Sequence, residues 1–194
     1  VKSPWIGLNE MGSAYLRSIS ALTGYKKLPR MMSMMDFTTL VSPEELIQRW
    51  AELGRDEQSP DYYELTEYGE LVLSPRAETN HQRICSSLVR QLSQQLGGEA
   101  VQEVAVLTTT AGLRVPDVVW MPQDRWNQLP VHAVVQAPEL VVEVLSPGNR
   151  KPEMNHKIQG YLQSGVKEVV VIGLTGTIDY IREDGVHPTS VFNL

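Results

Sequence analysis

The sequence predicts an α/β domain whose core runs helix, three strands, helix and strand around a mixed central sheet. Residues 79–96 form an amphipathic helical pattern that ends at two glycines, and residues 153–164 form a second one that stops at Gly165. Four segments rich in β-branched and other apolar residues have the composition of strands: 100–109, 113–121, 139–145 and 168–172. Three of them lie between the two helical patterns and the fourth follows the second helix, which gives the order of the core.

An added helix and hairpin are expected on the N-terminal side of this core. Ser42, Pro43 and Glu45 form the pattern of a capped helix start, with proline at the first helical position. Two short strands follow, at 62–65 and 70–73.

Two further hairpins and one domain boundary are predicted. A turn at Ala111 and Gly112 joins the first two core strands, and a turn at 175–176 starts a closing hairpin. Residues 1–35 carry scattered Gly, Ser and Tyr and a run of methionines, so we expect a loosely organised extension there and the folded domain at 36–194.

Composition restricts the class of protein. The 194 residues, 42% of them hydrophobic and 21% charged, suffice for one sizeable domain. No apolar run approaches the roughly 18 residues that a membrane span requires. The first residues do not show the basic-then-apolar pattern with a small-residue cleavage site that is typical of a secretory leader, so we expect none in this sequence. A single cysteine, Cys85, excludes an internal disulfide framework and CxxC zinc sites, and we expect a cytoplasmic protein in which Cys85 is a small buried hydrophobe.

The net charge of −6 disfavours strong non-specific binding to nucleic acid, which usually requires a basic surface. Transient binding to DNA stays open because basic residues lie near two acidic strand positions in the sequence; they are Arg114, Arg125, Arg150, Lys151 and Lys157.

Those two acidic positions are Asp117 and Glu143. Each lies in or beside an apolar, β-branched segment, where a lone buried carboxylate costs several kcal/mol. If the two strands are neighbours, both carboxylates reach one end of the sheet and can share a hard cation such as Mg²⁺, with the carbonyl of Val144 as a further ligand. The alternative is that neither residue binds a metal, because Pro-Asp at a strand start often forms a turn or cap and a glutamate in a strand often faces solvent. The apolar residues on both sides of Glu143 favour a strand covered on both faces.

A lysine would complete such a site by orienting a water molecule or countering phosphate charge. The position two residues after Glu143 is Leu145, so the nearest lysine in regular structure is Lys157 on the second core helix. Three histidines, His132, His156 and His187, lack partners at metal-ligand spacing.

The chain resembles the PD-(D/E)XK nuclease superfamily, and within it the putative restriction endonuclease family that occurs in many copies in cyanobacteria. The resemblance covers roughly residues 36 to 183. Its matching stretches are 63–65, 69–72, 74–75, His81, 115–119, 140–147, Lys157, Tyr161 and 165–168.

The resemblance implies a restriction-endonuclease-like fold and a Mg²⁺-dependent site, with Mn²⁺ as an alternative, that cuts DNA. It assigns Asp117 and Glu143 to the acidic motif and Lys157 to a lysine carried on the helix, which accounts for Leu145. His81 and Glu70 match further family positions, and a local hydrogen bond near the helix start is an equal alternative for His81. Pairing of nucleases of this class implies a homodimer.

Two departures from the family pattern bear on the site. Gly173 and Leu174 stand where members commonly carry Asp-Pro, and Pro152 lies near the start of the helix that carries Lys157. Two other functions stay open: a catalytically silent module that binds nucleic acid or protein, and a metal-dependent hydrolase of a small phosphate substrate.

Overall fold

A computed structural model of the chain describes residues 39–74, 78–130 and 133–194, which lie within the unit Phe37–Leu194. The extension expected at 1–35 lies outside the described residues. The helices are α1 (Pro43–Leu53), α2 (Thr79–Leu96), α3 (Gln123–Asn127) and α4 (Lys151–Gln163). The strands are β1 (Tyr63–Leu65), β2 (Leu71–Leu73), β3 (Glu99–Gln102), β4 (Val106–Leu107), β5 (Leu113–Arg114), β6 (Val118–Met121), β7 (Val135–Gln136), β8 (Leu140–Val144), β9 (Glu168–Ile172), β10 (Ile178–Arg182) and β11 (Gly185–His187).

The predicted core order is confirmed in a six-stranded mixed sheet with the order β11-β10-β9-β8-β6-β3. Strands β8 and β9 are parallel, since α4 connects them as a crossover, and the other pairs are antiparallel. This arrangement places β8 in the middle of the sheet.

Helices α2 and α4 pack on opposite faces of this sheet. Leu92 of α2 packs with Val142 of β8, whereas Ile158 of α4 packs with Val141 of the same strand. Because alternate strand residues point to opposite faces, β8 has an apolar contact on each side, as the residues around Glu143 predicted.

The predicted hairpin around Ala111 and Gly112 forms, but it is divided between two sheets. Its outer part pairs β3 with β6, and its inner part pairs β4 with β5 in a five-stranded sheet of order β2-β1-β5-β4-β7. The expectation of one continuous hairpin is therefore wrong. Pro116 has no N–H to donate to a ladder, and Glu103 on the opposite side takes a positive φ of 54°.

The N-terminal helix begins as its sequence predicts. The Ser42 hydroxyl accepts a hydrogen bond from the Glu45 amide at 3.2 Å, and the Glu45 carboxylate accepts one from the Ser42 amide at 3.1 Å. This reciprocal capping box satisfies two of the donors that a helix start leaves open.

No helix in the described part of the chain is long and apolar enough to cross a membrane.

Candidate active site

Asp117 and Glu143 lie at the same end of the antiparallel pair β6 and β8. Val118 is opposite Val142, so Asp117, which directly precedes β6, and Glu143 are the next positions to face each other. The Val144 amide donates to Asp117 Oδ2 at 2.7 Å and ties the two chain segments together. The strand adjacency that a shared cation requires is therefore present.

Glu143 is the more deeply buried of the two acidic residues, with 4% of its surface exposed. The Tyr161 hydroxyl, from α4, donates to Glu143 Oε1 at 2.9 Å. Burial raises the pKa of Glu143 to about 8, and the negative charges of Asp117 and Glu64 act in the same direction against the lowering effect of Lys157. Without further positive charge, this carboxyl group holds a proton at neutral pH.

Asp117 is less enclosed, and its side chain keeps 23% exposure. Burial raises its pKa, while the hydrogen bond from the Val144 amide and the nearby His81 and Lys157 oppose that rise. Asp117 is thus the more accessible of the two carboxylates.

Lys157 projects from α4 toward the sheet, and its ammonium Nζ lies 2.7 Å from Glu64 Oε1. Burial lowers the pKa of Lys157, but the carboxylates of Glu143 and Glu64 more than offset this, so the net direction is upward. Lys157 therefore stays an ammonium ion. It can act through its positive charge and its N–H hydrogen-bond donors, and it cannot serve as a general base.

Glu64 is a site residue that reasoning from the sequence did not single out. It is 1% exposed. Its Oε2 accepts a hydrogen bond from Arg114 Nη1 at 3.1 Å, and its Oε1 accepts one from the Val115 amide at 3.0 Å. Its partners lie 50 to 93 positions further along the chain, so no local pattern marks it. The one available signal was its place in the stretch 63–65, which the family resemblance includes.

His81, in the first turn of α2, contacts both acidic strands. Its Nε2 lies 3.0 Å from the Val144 carbonyl oxygen and 3.4 Å from Asp117 Oδ2. The imidazole thus reaches the predicted carbonyl ligand and one of the predicted carboxylate ligands. The contact with Val144 is long-range, and the local alternative considered from the sequence is also present, since His81 Nδ1 lies 3.6 Å from Cys85 Sγ in the same helix.

Glu70 is the one predicted site residue that the structure does not bring to this cluster. It is exposed in the turn between β1 and β2, and within the described residues its hydrogen bonds are backbone contacts with Thr66. Its supporting role stays a prediction.

The charges of the cluster fit a divalent cation. Three carboxylates, those of Asp117, Glu143 and Glu64, face two cationic side chains, Lys157 and Arg114. Within the described residues, no hydrogen bond reaches the second carboxyl oxygen of Glu143. Oxygen donors with an excess of negative charge are the ligand set that hard cations prefer.

Comparison with known proteins gives one family and one fold. Residues 43–182 match the model of the family Uma2, described as putative restriction endonuclease. The crystal structure of a putative nuclease belonging to DUF820 from Anabaena variabilis is similar to this chain with a TM-score of 0.60 and 18% sequence identity, covering 76% of this chain and 90% of that chain. The similarity confirms the restriction-endonuclease-like fold. No curated protein is similar enough to this chain to count as a match.

Proposed function

From the premise that the chain belongs to the Uma2 family of putative restriction endonucleases, we propose that it is a divalent-cation-dependent endonuclease that hydrolyses DNA phosphodiester bonds. One observation carries the proposal above all. Asp117 and Glu143 occupy facing positions at one end of β6 and β8, and Lys157 acts on both carboxyl groups by its charge.

Asp117, Glu143 and the carbonyl of Val144 are the groups that would hold the cation, Mg²⁺ or Mn²⁺. When bound, such an ion lowers the pKa of a water ligand and stabilises negative charge on a phosphodiester. Glu143 would hold the cation as a carboxylate, with its proton lost to solvent, and the Tyr161 hydroxyl would keep that carboxylate oriented through its hydrogen bond to Oε1.

Lys157 counters charge on the phosphate or orients the attacking water. Because its pKa is raised, the Lys157 amine stays protonated, and a 2.7 Å contact with Glu64 Oε1 fixes the position of its ammonium group. Because Arg114 and the Val115 amide hold Glu64 in turn, the lysine is oriented by groups that are themselves buried and bonded.

His81 acts on the ligands of the cation. Its Nε2 contacts the Val144 carbonyl and the Asp117 carboxylate, so it positions two of the three oxygen donors. It also places an imidazole next to the water that these ligands would orient.

Calorimetric titration tests the cation site. We expect wild-type protein to bind Mg²⁺ or Mn²⁺, and Asp117→Asn and Glu143→Gln to lose at least about tenfold in affinity because each removes a charged oxygen ligand. Glu153→Gln, an exposed carboxylate on α4, is the matched control and should bind like wild type. Absence of binding to wild type would refute the cation site.

A plasmid-nicking assay then tests the reaction. Lys157→Met should bind the cation but nick at least about 100-fold more slowly, since it removes one buried electrostatic group. The control Lys167→Met changes an exposed lysine and should nick normally.

Two outcomes would support the other functions. Cation binding without nicking, but with release of phosphate from a nucleotide or other small ester, indicates a small-substrate hydrolase. DNA binding that survives all site substitutions without nicking indicates a silent binding module. Equal nicking by wild type and all site variants indicates a contaminating nuclease.

A further inference from the structure

Helix α2 carries a second set of metal-ligand groups beside the acidic pair. His81 and Cys85 are four residues apart, so their side chains lie on one face of the helix. Asp117 lies beside this pair, with its Oδ2 3.4 Å from His81 Nε2, and one ligand atom from each of the three residues lies within 4.8 Å of the other two. This set offers nitrogen, sulfur and oxygen, unlike the oxygen donors of Asp117, Glu143 and Val144.

The hydrogen bond of His81 leaves one of its ring nitrogens available as a ligand. A carbonyl oxygen only accepts, so the contact between Nε2 and the Val144 carbonyl at 3.0 Å places the proton on Nε2. In that tautomer Nδ1 is unprotonated, and it lies 3.6 Å from Cys85 Sγ. Metal-binding histidines are typically held in this way, with the second nitrogen donating to a carbonyl or carboxylate.

The spacing of these two atoms matches tetrahedral coordination. Bonds of about 2.0 Å from zinc to nitrogen and about 2.3 Å from zinc to sulfur, at the tetrahedral angle, separate the two ligands by about 3.5 Å, close to the observed distance. The nitrogen and sulfur of His81 and Cys85 therefore need little movement to share one ion.

We propose that His81, Cys85 and Asp117 form a binding site for one thiophilic divalent cation of the Zn²⁺ class, with water as its fourth ligand. Cys85 is 2% exposed, but the side chains of His81 and Asp117 keep 16% and 23% exposure and give access from solvent. Three protein ligands and one open position is a common arrangement for zinc.

Binding requires the Cys85 thiol to lose its proton to solvent. Burial, with the charge of Asp117 as a further cause, raises the pKa of the free thiol to about 12. A coordinated cation reverses this because it stabilises the thiolate directly. Each ion that binds through the thiolate therefore releases one proton.

This site shares Asp117 with the proposed Mg²⁺ site, and it holds His81 against the Val144 carbonyl, which is another proposed Mg²⁺ ligand. A Zn²⁺-class ion would therefore exclude Mg²⁺ and block hydrolysis. That consequence rests on the proposed function, whereas the binding site does not.

Titration of the full-length chain with Co²⁺ tests the site by spectroscopy. Because the chain has one cysteine, a thiolate-to-Co²⁺ charge-transfer band reports on Cys85 alone. We expect a band that saturates at one Co²⁺ per chain and disappears when Zn²⁺ is added. His81→Phe and Asp117→Asn should each weaken Co²⁺ binding at least about tenfold. The control His156→Ala should leave affinity unchanged, because His156 is exposed and contacts Glu67 instead.

Two results would overturn the proposal. One is absence of the band at saturating Co²⁺, and the other is a band whose affinity is the same in the His81 and Asp117 variants. X-ray absorption of the Zn²⁺-loaded wild type gives a check without substitutions: one sulfur ligand is expected, and only nitrogen and oxygen ligands would contradict the site. Loss of nicking activity plays no part in either readout, so failure of the nuclease proposal leaves this test intact.

Discussion

Glu143 combines near-complete burial with a single hydrogen-bond donor from the described residues, the Tyr161 hydroxyl. Its pKa rises from an ordinary value near 4.5 to about 8 because burial disfavours the charged form. A raised pKa means that the folded protein binds the Glu143 proton more tightly than the unfolded chain does. The stability of the metal-free protein therefore depends on pH.

Protonated Glu143 contributes stability that is fully present below about pH 4.5 and is lost as pH rises through 8. In the presence of a chelator we expect urea unfolding of the wild type to show a decline of roughly 2 to 4 kcal/mol in the free energy of unfolding across that window. Glu143→Gln cannot ionise, so its stability should decline less and exceed that of the wild type near pH 8.5.

Parallel pH profiles for the wild type and Glu143→Gln would contradict the account of Glu143. Glu153→Gln controls for loss of one carboxylate, because Glu153 is exposed. Added Mg²⁺ should raise the stability of the wild type at pH 8 and leave Glu143→Gln nearly unchanged.

Glu64 gives a second prediction at the scale of single residues. Glu64→Gln removes the nearer charged partner of the buried Arg114 guanidinium, which then keeps only Glu67 at 4.0 Å among its described ion pairs, and should destabilise the protein by roughly 3 kcal/mol. The double variant Glu64→Gln, Arg114→Met should recover part of this loss because no unpaired guanidinium remains. Chemical denaturation of the three proteins measures both effects. A double variant less stable than Glu64→Gln would show that the ion pair does not explain the cost.

Asp117, Glu143, Lys157 and His81 were predictable from the sequence, whereas Glu64 was not. Asp117 and Glu143 stood out because carboxylates interrupt apolar strands. Lys157 was the nearest lysine in regular structure, and the resemblance supported it and supplied His81. Glu64 has no such local mark, since a glutamate in a three-residue strand looks the same whether it faces solvent or a buried arginine. Long-range packing alone decides between those two cases.

At the scale of elements, the approach of α4 to the turn between β4 and β5 determines where Lys157 and Tyr161 lie. Gly160 allows this approach: a Cβ on it would lie 2.5 Å from the Ala111 Cβ. Such a distance is too short for two carbon atoms without a shift of the helix or the turn.

We therefore expect Gly160→Ala to lower nicking activity at least about tenfold and to destabilise the protein by about 1 to 3 kcal/mol, although alanine favours a helix. Adding Ala111→Gly removes the opposing Cβ and should restore most of the nicking activity and most of the stability. Gly148→Ala is the control, since a Cβ there meets no atom within 4 Å. Wild-type behaviour of Gly160→Ala would mean that α4 tolerates a shift without moving the site.

The regular elements were predictable from the sequence to the extent that one local pattern formed each of them. Helix α2 and strand β9 have the predicted bounds, because a helical stripe and a β-branched run mark them. Strands β7 and β11 were not predicted. The two-residue β7 forms by pairing with the distant β4, and the three-residue β11 forms by closing a short hairpin with β10. The division of the long hairpin between two sheets was not predicted, because a single proline only weakly indicates where two paired strands pass from one sheet to another.

At the scale of the whole molecule, the site lies where the two sheets meet. Glu64 and Arg114 come from β1 and β5 of the five-stranded sheet, whereas Glu143 comes from β8 of the six-stranded sheet. Lys157 on α4 contacts Glu64 directly and acts on Glu143 by its charge. The divided hairpin is what brings these two groups of residues together.

The expected homodimer is a prediction at this scale. Several large apolar side chains near the last strands are exposed, among them Leu174, Ile178 and Val186 at 64%, 50% and 66%. Val186 lies on β11, an edge strand of the six-stranded sheet. If this surface pairs two chains, Val186→Lys should shift the protein toward monomer in sedimentation equilibrium, and the control Glu183→Lys should leave the mass unchanged. A monomeric wild type, or a dimer that Val186→Lys does not weaken, would contradict this interface.

The most direct measurement of the central claim is the position of a Mn²⁺ ion in crystals of the protein, located by anomalous scattering. We expect one peak at coordinating distance from carboxylate oxygens of both Asp117 and Glu143 and from the Val144 carbonyl, and no peak in Glu143→Gln crystals. Saturating Mn²⁺ with no peak at this cluster, or a peak that contacts only one of the two carboxylates, would contradict it.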